Sequence, residues 1–415
     1  MDKNNLLVSL DVGSSKVAVI VAEVGPDGAP RICGIGSAPS AGVKNGVLID
    51  VGAAVGSIRA AIDEAERTSG RHIEEVYTAC EDCRIRFVTS SGSTPVCGTE
   101  VTQEDCEAAA ANARESALRS GERALAVRQL EFGVDGVTGI VKPLGMAGNR
   151  LEANLLVACG AATTVTNLVR CVRRSGVEVK HWSIPVWAEA SAVLTEPERD
   201  LGVCLCDIGA GTIDIAVVIR GSVRCTAQIP IGGDSITKDI AAVYRTDEKT
   251  AERIKLQFGS ADPSRFSAAD VVNLSELGHS DEPLGDSAVI ACSELAEVIE
   301  ARLRELFGLV NQALGWSKLD GQIPSGIVFT GGVSQTRGFL KLAGEVFEHR
   351  CRIGLPDGGP NIGGSGSSPA WSVAAGLIKE AVAIASRGSA SGEGSKVRAG
   401  KGFFQMVRRW FVGNY

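Results

Sequence analysis

The sequence has no apolar run approaching the roughly 18 residues that a membrane-spanning helix needs. Its start, MDKNNLLVSLDVG, lacks the apolar core of a signal peptide, so the body of the chain is expected in the cytoplasm. It is also short of positive charge, with 42 Lys and Arg against 49 Asp and Glu and a net charge of -7. A general nucleic-acid binder needs a basic footprint to neutralise phosphates, and this balance argues against one. No cysteine framework is present either. The 12 cysteines are scattered, several within strand-like apolar runs such as Cys204 and Cys206, as reduced buried thiols would be. Cys80 and Cys83 form C-x-x-C, but with no second pair at zinc spacing and no thioredoxin-like context they are read as packing.

What is present is enough apolar content, 44% of 415 residues, for a substantial core and roughly two or three domains. Two stretches resemble each other: LLVSLDVGSSKVAVIVAEV from Leu6 and GVCLCDIGAGTIDIAVVIRGSV from Gly202. Each reads as an apolar strand, an Asp-x-Gly turn and a second strand of alternating β-branched residues, which is a hairpin signal. With Asp11 laid on Asp207, Gly13 falls on Gly209 and Ser15 on Gly211. Glycine-bearing turns can present backbone N–H groups to phosphate oxygens. An Asp at the mouth of each would face a cation, Mg2+ held through water. One such turn could be ordinary loop chemistry; two copies in one chain point to phosphate.

A third piece, SGIVFTGGVSQTRGFLKLAGEVF, runs from a strand into Gly331 and Gly332 and then a helix, with Ser334 read as its N-cap. Paired glycines would let a nucleotide lie on the backbone near a helix N-terminus. In DEKTAERIKLQFG, Glu252 and Lys255 lie three apart on one helical face. They can hold ribose hydroxyls and the nucleotide, or form a plain surface ion pair.

The order of DVGSSK (Asp11, Gly13, Ser14, Ser15, Lys16), DIGAGTID (Asp207, Gly209, Gly211, Thr212) and IVFTGGVSQTRGF resembles the phosphate-1, phosphate-2 and adenosine motifs of the actin, sugar-kinase and chaperone ATPase superfamily. SGSTPVCGTEVTQEDCEAAAANA, VDGVTGIVKPLGMAGNRLEANLLV, AVLTEPERDLGVCLCDIGAGTIDIAV and LAEVIEARLRELFGLV are more specific, and resemble the FtsA family of division actin homologues along nearly the whole chain. The resemblance implies an α/β, actin-like (ribonuclease H-like) two-lobe ATPase fold with an inserted subdomain, binding ATP and Mg2+ between the lobes. The expected division is 1–83 and 161–200 for lobe 1, 84–160 for the insert, and 201–225 with 319–385 for the core of lobe 2. Residues 226–318 form its outer subdomain, 386–400 a linker and 401–415 a terminal helix. The insert opens with strand-like RIRFVTS, followed by Thr102-x-x-Asp105 capping an Ala-rich helix through Ala117.

By the same resemblance the insert would contact the next subunit of a filament and later division proteins. The outer subdomain would grip the C-terminal tail of the ring polymer FtsZ, with Arg302 pairing a tail carboxylate or serving as an ordinary helix-surface Arg. The neighbouring GHSDEPLGDSAVIACSEL is acidic where basic residues are expected. Ala210 stands where the family more usually has Gly, which a negative φ would permit, and AVRQLEFGVDG departs from a stretch that commonly contains proline. PVWAEASAVL lies where the superfamily positions its attacking water, making Glu189 either a catalytic group or an exposed helix residue.

The chain's last stretch is unlike the rest. After SRGSASGEGSKVRAGKG, which has the composition of a flexible linker, Phe403, Phe404, Val407, Trp410 and Phe411 fall on one helical face, with Arg408 and Arg409 off it. From Arg387 onward there are six basic residues against Glu393 alone. An aromatic face beside basic residues fits a helix lying in the interface of an anionic membrane. Full burial of five such side chains would yield roughly 7 to 15 kcal/mol gross, and an interface buries them only in part. One copy should therefore bind reversibly, and many copies in a filament strongly. The expectation is an ATP-binding filament on the cytoplasmic face of the cell membrane at the division site, tethering FtsZ, with at most slow ATP hydrolysis. The alternatives are a cytoplasmic adaptor like the pilus-assembly relative PilM, or a small-molecule kinase of the same superfamily.

Overall fold

A computed structural model describes residues 6–273, 289–357 and 367–390. The tail residues Phe403, Phe404, Val407, Arg408, Arg409, Trp410 and Phe411, and most of the acidic loop, lie outside the described residues.

The chain opens with β1 (Leu6–Val12) and β2 (Lys16–Val24), antiparallel with Asp11 opposite Ala18. β3 (Pro30–Pro39) adds to β2. A small hairpin, β4 (Val43–Lys44) and β5 (Val47–Leu48), leads to α1 (Val51–Ser69). Asp50 caps α1 by accepting from Ala53 N. The Ala54, Ile58, Ala61, Ile62 and Ala65 stripe, at helical spacing, is buried in the first lobe's core. β6 (Glu75–Ala79) then lies parallel to β1.

Here the chain leaves the lobe. β7 (Arg86–Pro95), α2 (Gln103–Ala117), β8 (Glu122–Val134), β9 (Val137–Ile140) and β10 (Arg150–Ala161) build a separate sheet in the order β7-β10-β8-β9, with α2 on one face. Thr102 and Asp105 cap α2 reciprocally, as their spacing predicts. Small Ala109, Ala110 and Ala113 let α2 pack closely against Phe132, Leu151 and Leu155. The chain returns through α3 (Ala162–Arg174) to β11 (Glu178–Ser183), which completes the sheet β11-β6-β1-β2-β3.

α4 (Pro185–Val193) and α5 (Glu196–Leu201) lead into lobe 2. There β12 (Val203–Ile208), β13 (Ile213–Ile219) and β14 (Ser222–Ile229) form an antiparallel meander. The outer part carries α6 (Gly233–Tyr244), α7 (Glu248–Phe258), the paired β15 (Val271–Asn273) and β16 (Val289–Ala291), and the long α8 (Cys292–Ser317). β17 (Ile327–Thr330), α9 (Phe339–Val346) and β18 (Cys351–Ile353) complete a sheet ordered β14-β13-β12-β17-β18. Both five-stranded sheets therefore have one design: three antiparallel strands, then two that run parallel to the first. The repeated hairpin in the sequence is the first piece of this repeated sheet.

α10 (Ser372–Ala390) crosses back to α4, and the two share one core with strands from both lobes and from the base of the insert, including Ile20, Leu156, Trp187, Leu205, Val328 and Trp371. The linker expected from residue 386 starts inside this helix; extending a helix already anchored by packing costs little per residue. All 12 cysteines are free, with Cys80 buried and Cys83 half-buried. No described helix is long and apolar enough to cross a membrane.

Candidate nucleotide-binding site

The two hairpin turns close with the same bond, from Gly13 N to Lys16 O at 3.1 Å and from Gly209 N to Thr212 O at 3.0 Å. They face each other so closely that a Cβ on Gly211 would fall 2.6 Å from Ser14 Oγ. Ala210 is not among the residues with positive φ, which is why Ala serves there. The third turn follows β17. Gly331 has φ 84° and stands against Asp207, where a Cβ would come within 1.9 Å of Oδ1, while Gly332 faces open space. Beside these turns α6 begins at Gly233, whose N–H donates to Gly209 O at 2.9 Å while Asp234 N donates to Ala210 O at 2.8 Å, so the helix start is fastened to the second hairpin turn.

Together these elements enclose a cleft of about 450 Å³, a volume in the range of small-molecule sites. Of the residues singled out from the sequence, Asp11, Gly13, Ser14, Ser15 and Lys16 line it from lobe 1. Asp207, Gly209, Gly211, Thr212, Glu252, Lys255, Gly331 and Gly332 line it from lobe 2, and Glu189 from α4. Ser334 does not. The turn after Gly331 is a short 3-10 segment, and the following helix starts only at Phe339, behind Gly338 with φ 80°. The Ser334 hydroxyl is buried and donates to Gly331 O at 2.7 Å, so it braces the turn instead of capping a helix.

Glu252 and Lys255 do form an ion pair, at 2.6 Å, but one set into the cleft wall. Lys255 Nζ also donates to Gly233 O and Thr237 Oγ1, and the Thr237 hydroxyl bonds Glu252. Lys16 Nζ donates to Ala370 O at 2.7 Å and sits over the Trp371 ring. Burial lowers its pKa, against the pull of Asp11 and Asp207. Glu189 is not an exposed helix residue: it is 1% exposed, because α4 is apolar on every side and wedged between other elements.

Two cleft carboxylates escaped the sequence reading. Asp214 stands opposite Asp207 in the β12–β13 register, and Glu81 follows β6. Burial pushes Asp11 up to about 6 against the pull of Lys16, and burial with neighbouring acids pushes Asp207 and Asp214 to about 7, Glu81 to about 8, and Glu189 well above the usual carboxylate range. Asp207 Oδ1 and Glu189 Oε2 are buried without a hydrogen-bond partner. Among the described residues no three side chains are placed to hold a metal by direct ligation. Unpartnered carboxylate oxygens around a polar cleft nonetheless fit a divalent cation that keeps its water and bridges phosphates.

Arg302 lies away from the cleft, on α8. Its guanidinium makes a two-pronged bond to Asp239 on α6, at 2.5 and 2.7 Å, and a third to Glu305 at 2.6 Å. It therefore fastens α6 to α8 within its own chain, which a reading of local sequence as a free surface Arg does not anticipate.

Residues 204–376 match the family model "Cell division protein FtsA", and residues 83–159 match "SHS2 domain inserted in FTSA". The chain is similar to the cell division protein FtsA of Pseudomonas aeruginosa, 36% identical over 419 residues that span 100% of this chain and 99% of that protein. It is also 36% identical to FtsA of Escherichia coli over 380 residues, covering 90% and 89% of the two chains. Among solved structures, a PilM-PilN type IV pilus biogenesis complex aligns with TM-score 0.64 at 16% identity, covering 91% of this chain and 98% of that one. MreB5 of Spiroplasma citri bound to ADP aligns with TM-score 0.55 at 16% identity, covering 94% and 100%. These likenesses identify the actin-like ATPase fold.

Proposed function

The chain belongs to the FtsA family of cell division proteins, and from that premise we propose that it is an ATP-binding, filament-forming adaptor that tethers the FtsZ ring to the cytoplasmic face of the membrane. The observation that carries the nucleotide part is the convergence of the Asp11, Asp207 and Gly331–Gly332 turns on one cleft. Backbone amides of the two hairpin turns would hold the phosphates, with Lys16 as the nearby cation. Glu252 and Lys255 would hold the nucleoside end. Asp11 and Asp207 would hold Mg2+ through water, which would neutralise phosphate charge and relieve the crowding of carboxylates. Glu189 reaches into the same cleft from α4, where it can orient water; with burial disfavouring its ionised form, turnover is expected to be slow and ATP to act mainly on conformation.

Membrane residence is assigned to the terminal stripe of Phe403, Phe404, Val407, Trp410 and Phe411 with Arg408 and Arg409. The insert is assigned to the next subunit and to later division proteins, and the outer part of lobe 2 to the FtsZ tail, where a tail carboxylate would compete with Asp239 for Arg302. Sedimentation with phosphatidylglycerol-containing vesicles tests the adaptor, comparing the full chain with a version ending at Ala390, each with and without Mg-ATP. Pelleting that requires the tail and rises with Mg-ATP is expected. Equal pelleting of both versions, or of neither, overturns the tail assignment, and no effect of Mg-ATP overturns the link between nucleotide and membrane.

A further inference from the structure

The two sheets share a design, and one position breaks it. β6 pairs with β1 so that Leu10 faces Thr78, and β17 pairs with β12 so that Asp207 faces Thr330. Extending each register from the Asp of its hairpin, Ala79 is equivalent to Thr330, Cys80 to Gly331 and Glu81 to Gly332. Lobe 2 leaves this strand end bare, next to open space. Lobe 1 puts a carboxylate there.

That carboxylate crosses the cleft. Glu81 Oε1 accepts from Thr212 Oγ1 at 2.5 Å and from Gln228 Nε2 at 3.5 Å. Both donors belong to lobe 2, Thr212 in the second phosphate turn and Gln228 on β14. The lobe 1 backbone is shaped around the side chain: Gly46, φ 73°, lies where a Cβ would fall 2.6 Å from Glu81 Cγ. Gly46 N donates to Ser14 Oγ at 3.1 Å, and Asn45 Nδ2 reaches Pro230 O at 3.1 Å, so the segment that makes room for Glu81 is tied to both lobes. A negative charge seated near Asp11 and Asp214 is electrostatically costly, and a neutral acceptor would join the lobes without that cost.

We infer that Glu81 is a positioning residue for nucleotide binding, spanning the cleft from the end of β6 to Thr212 and holding the two phosphate turns in register before the ligand arrives. The inference rests on the nucleotide reading of the cleft. A chain already closed in the binding-competent form binds more tightly in proportion to the population of that form, and loses that advantage when the contact is lost.

Glu81→Gln keeps an acceptor oxygen at the same reach and cannot ionise, whereas Glu81→Ala removes the acceptor as well. Since neither variant can ionise at this position, their difference reports the cross-cleft bond. Hydrogen exchange of the nucleotide-free full chain at residues 13–16 and 209–212 reads it without ligand. Exchange several-fold faster in Glu81→Ala, and near wild type in Glu81→Gln, is expected. Mg-ATP affinity should be about tenfold weaker for Ala than for Gln. Thr212→Val removes the donor, and should reproduce the Ala variant with no further loss when the two are combined; should Glu81→Ala fail to fold, Thr212→Val against Glu81→Gln carries the comparison. Indistinguishable Ala and Gln variants overturn the inference. A wild-type chain that does not bind Mg-ATP overturns the nucleotide reading and the role in binding with it, while the exchange result still decides the cross-cleft contact.

Discussion

Lys16 Nζ lies 4.4 Å from the centre of the Trp371 ring while donating to the Ala370 carbonyl at 2.7 Å. The cation of the first hairpin turn is thus held against the residues that start α10. Phosphate would draw the ammonium away from the ring. Lys16→Ala is expected to weaken Mg-ATP binding by about 1.5 to 3 kcal/mol, roughly tenfold to a hundredfold, by titration calorimetry. Tryptophan emission should change when Mg-ATP binds, and Trp371→Phe should abolish that change while binding persists.

Gly331 and Gly332 should separate folding from binding. Gly331→Ala meets both a left-handed φ of 84° and the Asp207 carboxylate, so it should lose more than about 1 kcal/mol of stability from the backbone alone and lose nucleotide binding. Gly332→Ala has room for its methyl group in the ligand-free chain. Its melting temperature should match wild type, and its Mg-ATP affinity should fall because the methyl group enters ligand space.

The crowded carboxylates set a dependence on pH. Asp11 at about 6, Asp207 and Asp214 at about 7 and Glu81 at about 8 keep protons in the folded chain that the unfolded chain has already lost. Their contribution to stability is full below the ordinary carboxylate range and is lost as pH rises from about 4 toward 8. A divalent cation favours the ionised forms. The rise in melting temperature on adding MgCl2 should therefore be larger at pH 8 than at pH 6; equal rises would mean that the cation does not act through these groups.

Arg302 and Asp239 give opposite expectations for partner binding. Their side chains are 26% and 29% exposed, so Arg302→Ala should cost about 1 kcal/mol of stability in denaturant unfolding. If the tail carboxylate of FtsZ takes over the guanidinium, fluorescence anisotropy with a tail peptide should show weaker binding to Arg302→Ala and tighter binding to Asp239→Ala, which releases the cation. A tail affinity indifferent to both would place the contact elsewhere on lobe 2.

What the sequence shows of this site follows from which contacts are local. The Asp-x-Gly turns are legible because each hairpin is built from neighbouring residues and the motif occurs twice. The cap of α2 is legible because Thr102 and Asp105 are three residues apart. Glu81 is not, since its partner Thr212 lies 131 residues away and nothing near Glu81 marks it. Asp214 becomes visible only once the register sets it opposite Asp207. Ser334 misleads because Gly-Gly-x-Ser has the form of a helix start, yet Gly338 postpones the helix. The burial of Glu189 did leave a signal: α4 has no polar face to turn toward solvent, which marks a helix enclosed on all sides.

The insert is bound to the body by more than its two strand connections. Arg128 on β8 pairs with Glu380 on α10 at 2.6 Å, Arg224 on β14 pairs with Glu131 at 3.0 Å, and Leu130 and Leu156 enter the core that α4 and α10 share. Because α10 is also the last described helix before the tail, a pull arriving at the insert and a pull arriving from the C-terminus meet on the same rod. Tension between a neighbouring subunit and an anchored tail would be carried through α10 as shear along its packed face, with lobe 2 sharing the load through the Arg224–Glu131 pair and the common core.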